Sequence, residues 1–324
     1  MTSEEVASVV ASALRDAGVR SEIRVVVMAD GGEGTARALG RMDGLKIVES
    51  SAYVGPGCFD MARTSILDRS TFALGEAVRQ EVGRGNKVYV GIGGTATADG
   101  GAGFLQALGV RFYDSGGSEI TTPLSPRTIN GSLASVGSLP EGLKEGIAGL
   151  SDVCATLTGP GLSALDFLVQ KGASASDCKE VASALDKLRR LFGDRSSRFD
   201  GAGGGLGFAL AAVVGAPCMS GADFILERLD INPDEISLLI TGEGSIDCQT
   251  SGGKVVDAVN RYGLRKGIPV LSIGGKVEPG CSFPWVVSTM KPTDLPPSSS
   301  SEARSRLYET VRREISDCSD RFDQ

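Results

Sequence analysis

Three stretches of this sequence set carboxylates among clustered glycines. They are Asp30-Gly31-Gly32-Glu33-Gly34-Thr35, then Gly93 to Gly101 with Thr95, Thr97 and Asp99, then Gly242 to Asp247 with Glu243, Gly244 and Ser245. Glycine lets backbone N–H groups approach an anion closely, and a helix start just beyond adds a favourable partial charge. A carboxylate beside such a cradle can hold Mg²⁺ or accept a hydroxyl proton. The residue types therefore suit phosphoryl transfer. Each loop alone is more readily a tight turn, which favours Gly and Asp. Three of them, each just past a short apolar run, point to a shared site.

The chain contains no histidine. A Ser-His-Asp triad, a Cys-His pair and any His-ligated metal are thereby excluded. A general base must be Asp, Glu or another non-imidazole group, and a divalent metal must take oxygen ligands, which points to Mg²⁺. Neither a G-x-x-x-x-G-K-S/T phosphate loop nor the protein-kinase signature set occurs. A dinucleotide enzyme stays open, because Gly91-Ile92-Gly93-Gly94-Thr95-Ala96 fits G-x-G-x-x-A. Asp114 follows at about the 20 residues expected for a ribose-binding acid. Against it, Asp99 would fall in the first helical turn and repel a pyrophosphate.

The elements that must carry these loops alternate between strand and helix. Val6, Val9, Val10 and Leu14 make one helical face, with Ser3 as its cap. Strands are expected at 23–28, 45–48, 87–92, 237–241 and 269–273, with 286–287 as a further edge. Helical spacing appears at Ala73 to Val78, Phe104 to Leu108, Val181 to Leu188, Val255 to Val259 and Leu307 to Ile315. Residues 115–140, rich in Ser, Thr, Gly and Pro, read as loop, Gly201 to Gly207 as a turn before a helix, and 298–301 as a flexible surface connection. This order predicts an α/β fold with a largely parallel sheet. Similar strand-loop-helix units at both ends suggest a discontinuous domain with an insertion.

At 324 residues, with 41% hydrophobic residues, the chain can build more than one core. A net charge of −7 without a basic run argues against nucleic-acid binding. The seven cysteines are scattered without a C-x-x-C pair, which predicts a reducing compartment rather than a disulfide framework. No apolar run reaches membrane-spanning length, and the acidic start is unlike a signal peptide, so a cytoplasmic location is expected.

Several stretches resemble the bacterial glycerate kinase family of the glucarate and glyoxylate pathways. Ala29 to Thr35 is similar to its A-D-G-G-E-G-T signature, and Gly91 to Gly103 to G-I-G-G-S/T-A-T-N-D-G-G-A-G. Gln170-Lys171-Gly172-Ala173 resembles Q-K-G-A, Gly201 to Gly207 resembles G-A-A-G-G-M/L-G, and Thr241 to Gln249 with Gly253-Lys254 resembles T-G-E-G-x-I/L-D-x-Q…G-K. The resemblance implies ATP- and Mg²⁺-dependent phosphorylation of D-glycerate in organic acid catabolism, with 2-phosphoglycerate favoured and 3-phosphoglycerate open. It implies two α/β domains, a flavodoxin-like (Rossmann-like) parallel-sheet domain at 1–42 and 238–324 and an inserted mixed α/β domain at 43–237, with a cleft between. Monomer and homodimer both fit.

The resemblance also assigns roles. Asp99, Asp247 and Lys171 are the expected catalytic residues, and Asp99, Glu243 and Asp247 the expected metal ligands. Asp99 can equally be a helix cap. Asp30, Glu33, Thr35, Gly94, Thr95, Thr97, Gly100, Gly101, Glu243, Gly244, Ser245 and Lys254 would contact substrate or phosphate, and Arg69 the glycerate carboxylate. Some family features depart here. Thr2 to Ala7 aligns with the start of the first helix, so the preceding strand and its P-D-S-F/Y-K loop either lie upstream of this sequence or are expected to be missing. The segment from Thr35 to Glu49 is shorter, Ala98 replaces Asn, and Phe167-Leu168-Val169 replaces F-G-P. These leave open a catalytically impaired glycerate- or nucleotide-binding homologue.

Overall fold

Val88–Gly91 and Ile147–Leu150 are buried at every residue, the pattern of parallel strands covered on both faces. The computed structural model describes residues 1–39, 45–151, 153–229, 232–247, 254–281, 283–291 and 293–317. The chain divides into two units, Met28–Glu227 and Met1–Val27 with Arg228–Gln324. That division puts residues 28–42, including the first glycine-acid loop, in the larger unit.

In the larger unit the strands are β1 (Lys46–Glu49), β2 (Val88–Gly91), β3 (Phe112–Tyr113), β4 (Ser135–Val136), β5 (Ile147–Leu150) and β6 (Cys218–Met219). Among the described residues, β1, β2, β5 and β6 form one parallel sheet in the order β1-β2-β5-β6. Val48 lies opposite Val90, and Val90 opposite Gly149. β3 and β4 pair antiparallel, apart from that sheet. The helix Ala175–Leu191 begins at a capping box between Ser174 and Asp177 and buries Val181, Ala184, Leu185 and Leu188. Phe104, Phe112 and Phe208 are fully buried, and Phe192 meets Phe112 and Phe208 edge-on.

The smaller unit holds a second parallel sheet, β7 (Leu239–Ile246), β8 (Val270–Val277) and β9 (Val286–Ser288), in that order. Its core joins Ala13 and Leu14 of the helix Ser3–Asp16 to Leu307, Val311 and Ile315 of the helix Ser300–Ser316, against Leu271 and Ile273. Asn260, on the helix Val255–Lys266, donates to Ser272 Oγ at 2.7 Å and so ties that helix to β8.

Several expectations are corrected. Residues 23–28 form no strand: Val25 and Val27 are exposed, and no ladder partner satisfies the segment. Thr2, not Ser3, caps the first helix, because its hydroxyl accepts from Glu5 N while Glu5 reaches back to Thr2 N. The supposed loop at 242–246 is strand, since Glu243 pairs with Gly274 and Ser245 with Lys276. Glycines on both strands permit it: a Cβ at Gly275 would sit 2.5 Å from Gly244 O. Within 115–140 lie the Pro-initiated helix Pro126–Gly131 and β4. Ser299 caps the last helix by accepting from Glu302 N, so 298–301 is a helix start. Among the described residues no helix is long and apolar enough to cross a membrane.

The first glycine-acid loop rests on the helix Gly221–Leu226, where a Cβ at Gly221 would lie 2.3 Å from Gly31 N and 2.5 Å from Asp30 O. Gly221→Ala is expected to lower stability by about 2 kcal/mol through overpacking, read from the urea midpoint. An unchanged midpoint would show that the loop yields without cost.

Candidate active site

Parallel sheets place ligands beyond the carboxyl ends of their strands. In the larger unit a cavity of about 890 Å³ opens there. Glu49 ends β1, and Ser51 lies two residues beyond it. Ile92, Gly93, Gly94 and Thr95 follow β2, and Ser151 follows β5; all of these line the cavity. The first two glycine loops meet through their backbones, with Gly93 N donating to Gly31 O at 3.2 Å. A Cβ at Gly93 would fall 2.7 Å from Gly32 Cα, so this approach requires glycine. Asp30 and Glu33 thereby reach the same cavity as Gly94 and Thr95.

Lys171 forms part of the cavity wall, yet its side chain is only 8% exposed. Its Nζ donates to Thr95 Oγ1 at 3.0 Å and to Thr97 O at 2.8 Å. A Cβ at Gly204 would fall 3.0 Å from that ammonium, and Gly203 and Gly204 both take left-handed backbone angles. Burial pulls the lysine pKa down to about 8; Asp99 opposes that shift and Arg69 adds to it. Two buried cations and one buried carboxylate leave local positive charge at this part of the wall, while Asp30, Glu33 and Glu49 bring negative charge to the same cavity, a mixture that suits an anionic ligand carrying a cation.

The structure changes the role of Asp99. The residue is fully buried and does not line the cavity. Its carboxylate accepts from Thr71 N, Thr71 Oγ1, Gly101 N and Gly103 N at 2.7–3.2 Å. It fixes the second glycine loop to the start of two helices and is not placed to ligate a metal or touch a substrate. Burial raises its pKa against those hydrogen bonds. Arg69 is likewise corrected: 1% exposed and outside the cavity wall, it spends its guanidinium on Thr64 O, Ala96 O and Lys171 O. Thr35 is buried and donates to Gly32 O at 2.7 Å, which closes the first loop on itself. Thr97, Gly100 and Gly101 are buried beside the cavity wall rather than in it.

Glu243, Gly244, Ser245 and Asp247 lie along and just after β7 in the smaller unit, and Lys254 caps its helix Val255–Lys266. Gln249 and Gly253 lie outside the described residues. Among the described residues no three His, Cys, Asp or Glu side chains converge on a metal-sized site. Of the expected metal trio, Asp99 belongs to the larger unit and Glu243 and Asp247 to the smaller. The cavity does carry carboxylates from Asp30, Glu33 and Glu49. Mg²⁺ is commonly held by one or two carboxylates together with substrate phosphates, so that donor set fits a metal arriving with a nucleotide. Glu49, Ser51, Ser151 and the Gly203-Gly204 pair were not singled out as site residues. Their signal was position, each at or against a strand end. The dinucleotide reading fails at Asp114, whose carboxylate accepts from Gly116 N and Ser118 N and is spent on a turn.

The profile of the "Glycerate kinase family" matches residues 1–56 and 39–284 of this chain. A glycerate kinase of Bacillus subtilis (strain 168) is 31% identical over 300 residues, covering 79% of this chain and 77% of that protein. A glycerate 2-kinase of Escherichia coli (strain K12) is 30% identical over 317 residues, covering 86% and 82%. A solved structure described as a candidate glycerate kinase 2 from Salmonella typhimurium LT2 superposes with a TM-score of 0.72 at 26% identity, covering 98% of this chain and 95% of that one.

The lysine makes a pH-dependent contribution whose sign is fixed. Lys171 releases its proton near pH 8 when folded, but near 10.5 when unfolded. Between those values the unfolded chain binds more protons, so folding stability rises with pH. Relative to Lys171→Met, the wild type is expected to gain on the order of 3 kcal/mol from pH 8 to 10.5, measured by urea unfolding. Parallel profiles for the two proteins would refute the assignment.

Proposed function

Because this chain belongs to the glycerate kinase family, we propose that the cavity of the larger unit is where it phosphorylates D-glycerate from ATP. The observation that carries this reading is the buried ammonium of Lys171, held between Thr95 and Thr97 at the strand ends. Phosphoryl transfer has little covalent chemistry for a protein to perform; it depends on positioning and on countering negative charge. Lys171 supplies a fixed positive charge there. The Gly93-Gly94 and Gly203-Gly204 backbones leave room for phosphate oxygens to approach it, since no side chain projects from them.

The carboxylates of Glu33 and Glu49 would hold the Mg²⁺ that accompanies the nucleotide. When bound, that ion neutralises part of the polyphosphate charge. Asp30 is oriented by the Gly32 N–H at 3.2 Å and is the cavity carboxylate we assign to accept the glycerate hydroxyl proton. Glu49 has a second task, accepting from Ala36 N at 2.7 Å and so steadying the helix Thr35–Leu39 beyond the first loop. The name of the Escherichia coli relative favours the 2-hydroxyl as acceptor, giving 2-phosphoglycerate. In the smaller unit, Glu243, Gly244, Ser245, Asp247 and Lys254 are assigned the ligand contacts that the resemblance implies.

Incubation with ATP, Mg²⁺ and D-glycerate is expected to give equal amounts of ADP and phosphoglycerate, with the isomer read by phosphorus NMR. Lys171→Met is expected to lower kcat by about 100- to 1,000-fold, the range for removing one fixed transition-state charge. No phosphoglycerate from the wild type, or wild-type turnover in Lys171→Met, would overturn the reading. A 3-phospho product would reassign the hydroxyl.

A further inference from the structure

Arg69 is among the largest fully buried side chains of the chain, yet it pairs with no carboxylate at hydrogen-bonding distance among the described residues. A buried guanidinium is costly unless its donors are used. Here Nε and Nη2 donate to Thr64 O at 3.1 and 2.7 Å, and Nη1 donates to Ala96 O at 3.1 Å and Lys171 O at 2.9 Å. The two acceptors of Nη1 are informative. Ala96 lies between Thr95 and Thr97, the two residues that receive the Lys171 ammonium, and Lys171 O belongs to the lysine's own backbone. One nitrogen therefore ties both ends of the lysine's reach: the backbone it springs from and the loop that its ammonium contacts.

We propose that Arg69 is a positioning residue for Lys171, clamping the lysine backbone to the 95–97 loop so that the ammonium stays at a fixed place on the cavity wall. The inference rests on the reading of Lys171 as the cation of phosphoryl transfer. Arg69 contacts neither the cavity nor a ligand placed in it, and so it acts only through its neighbours. The planar fork matters. Lysine at this position carries the charge but has a single nitrogen, which cannot span Thr64 O, Ala96 O and Lys171 O together. Around Lys171 the charged groups are Asp99, which favours the protonated lysine, and Arg69, which disfavours it. Removing the arginine charge thus has a direction: the lysine keeps its proton to higher pH.

The test compares Arg69→Met and Arg69→Lys with the wild type in phosphoglycerate formation across pH 6.5–10, roughly spanning the lysine's titration. Each variant's folded fraction is checked by circular dichroism. Arg69→Met is expected to lower kcat by about 10- to 100-fold with little change in KM for ATP, because the cation is displaced while binding contacts remain. Its alkaline limb is expected to move to higher pH. A merely structural role would lower active concentration and leave the limb in place. Arg69→Lys keeps a buried charge and remains informative should the Met variant not fold. It is expected to show the kcat loss with a limb close to that of the wild type. If Lys171→Met is inactive while the folded Arg69 variants keep the wild-type kcat and limb, the positioning role is overturned and the lysine reading stands. If Lys171→Met is fully active, the lysine reading itself fails.

Discussion

A single ammonium group, buried and hydrogen-bonded to one hydroxyl and one carbonyl, organises the larger unit. Lys171 Nζ has two acceptors from the protein, Thr95 Oγ1 and Thr97 O, and an ammonium has three donors. Burial makes the protonated form expensive, and Asp99 only partly offsets that cost. A site that keeps such a group beside a cavity stabilises whatever anion enters. The surrounding features serve its position. Arg69 ties the lysine's backbone to the loop beyond β2, Asp99 fixes the far end of that loop, and the Gly203-Gly204 turn comes within contact distance of the ammonium.

Two buried charged groups near this lysine show how a signature can be shared between chemistry and architecture. Asp99 sits amid a glycine-rich loop in the sequence, where it reads as a metal ligand. In the fold its four donors all come from the protein, and no face of it meets the cavity. Its contribution is to hold a loop with positive-φ glycines at 100 and 101 in place. Gly100 in turn leaves space for Leu185 and Leu188 of the covering helix, whose tips would meet a Cβ at 3.0 and 2.7 Å. The cavity wall and the core packing meet along that loop.

In the larger unit β2 was legible as a continuous apolar run and the long helix by its buried residues at regular spacing, from Val181 to Leu188, whereas β5, equally buried, and the two-residue strands β3, β4 and β6 were not foreseen. Two of the three glycine-acid loops do meet, since Asp30, Glu33, Gly94 and Thr95 line one cavity with Lys171. What the sequence hid was which polar groups face inward. Asp99 and Arg69 are held by contacts up to 102 residues apart in the chain, as from Arg69 to Lys171, and no local pattern reports such contacts. The strand expected at 23–28 failed for a related reason: β-branched residues alone do not make a strand without a partner to complete the ladder. Gly242 to Ile246 erred in the opposite sense, since glycines that usually signal a turn here allow β7 and β8 to pair closely.

If transfer needs a protonated Lys171, the pH dependence of kcat/KM for ATP reads that requirement, because this ratio reports ionisations of the free enzyme. The ratio is expected to fall as pH rises through about 8, where the buried lysine loses its proton. A value that holds steady to pH 10 would contradict it.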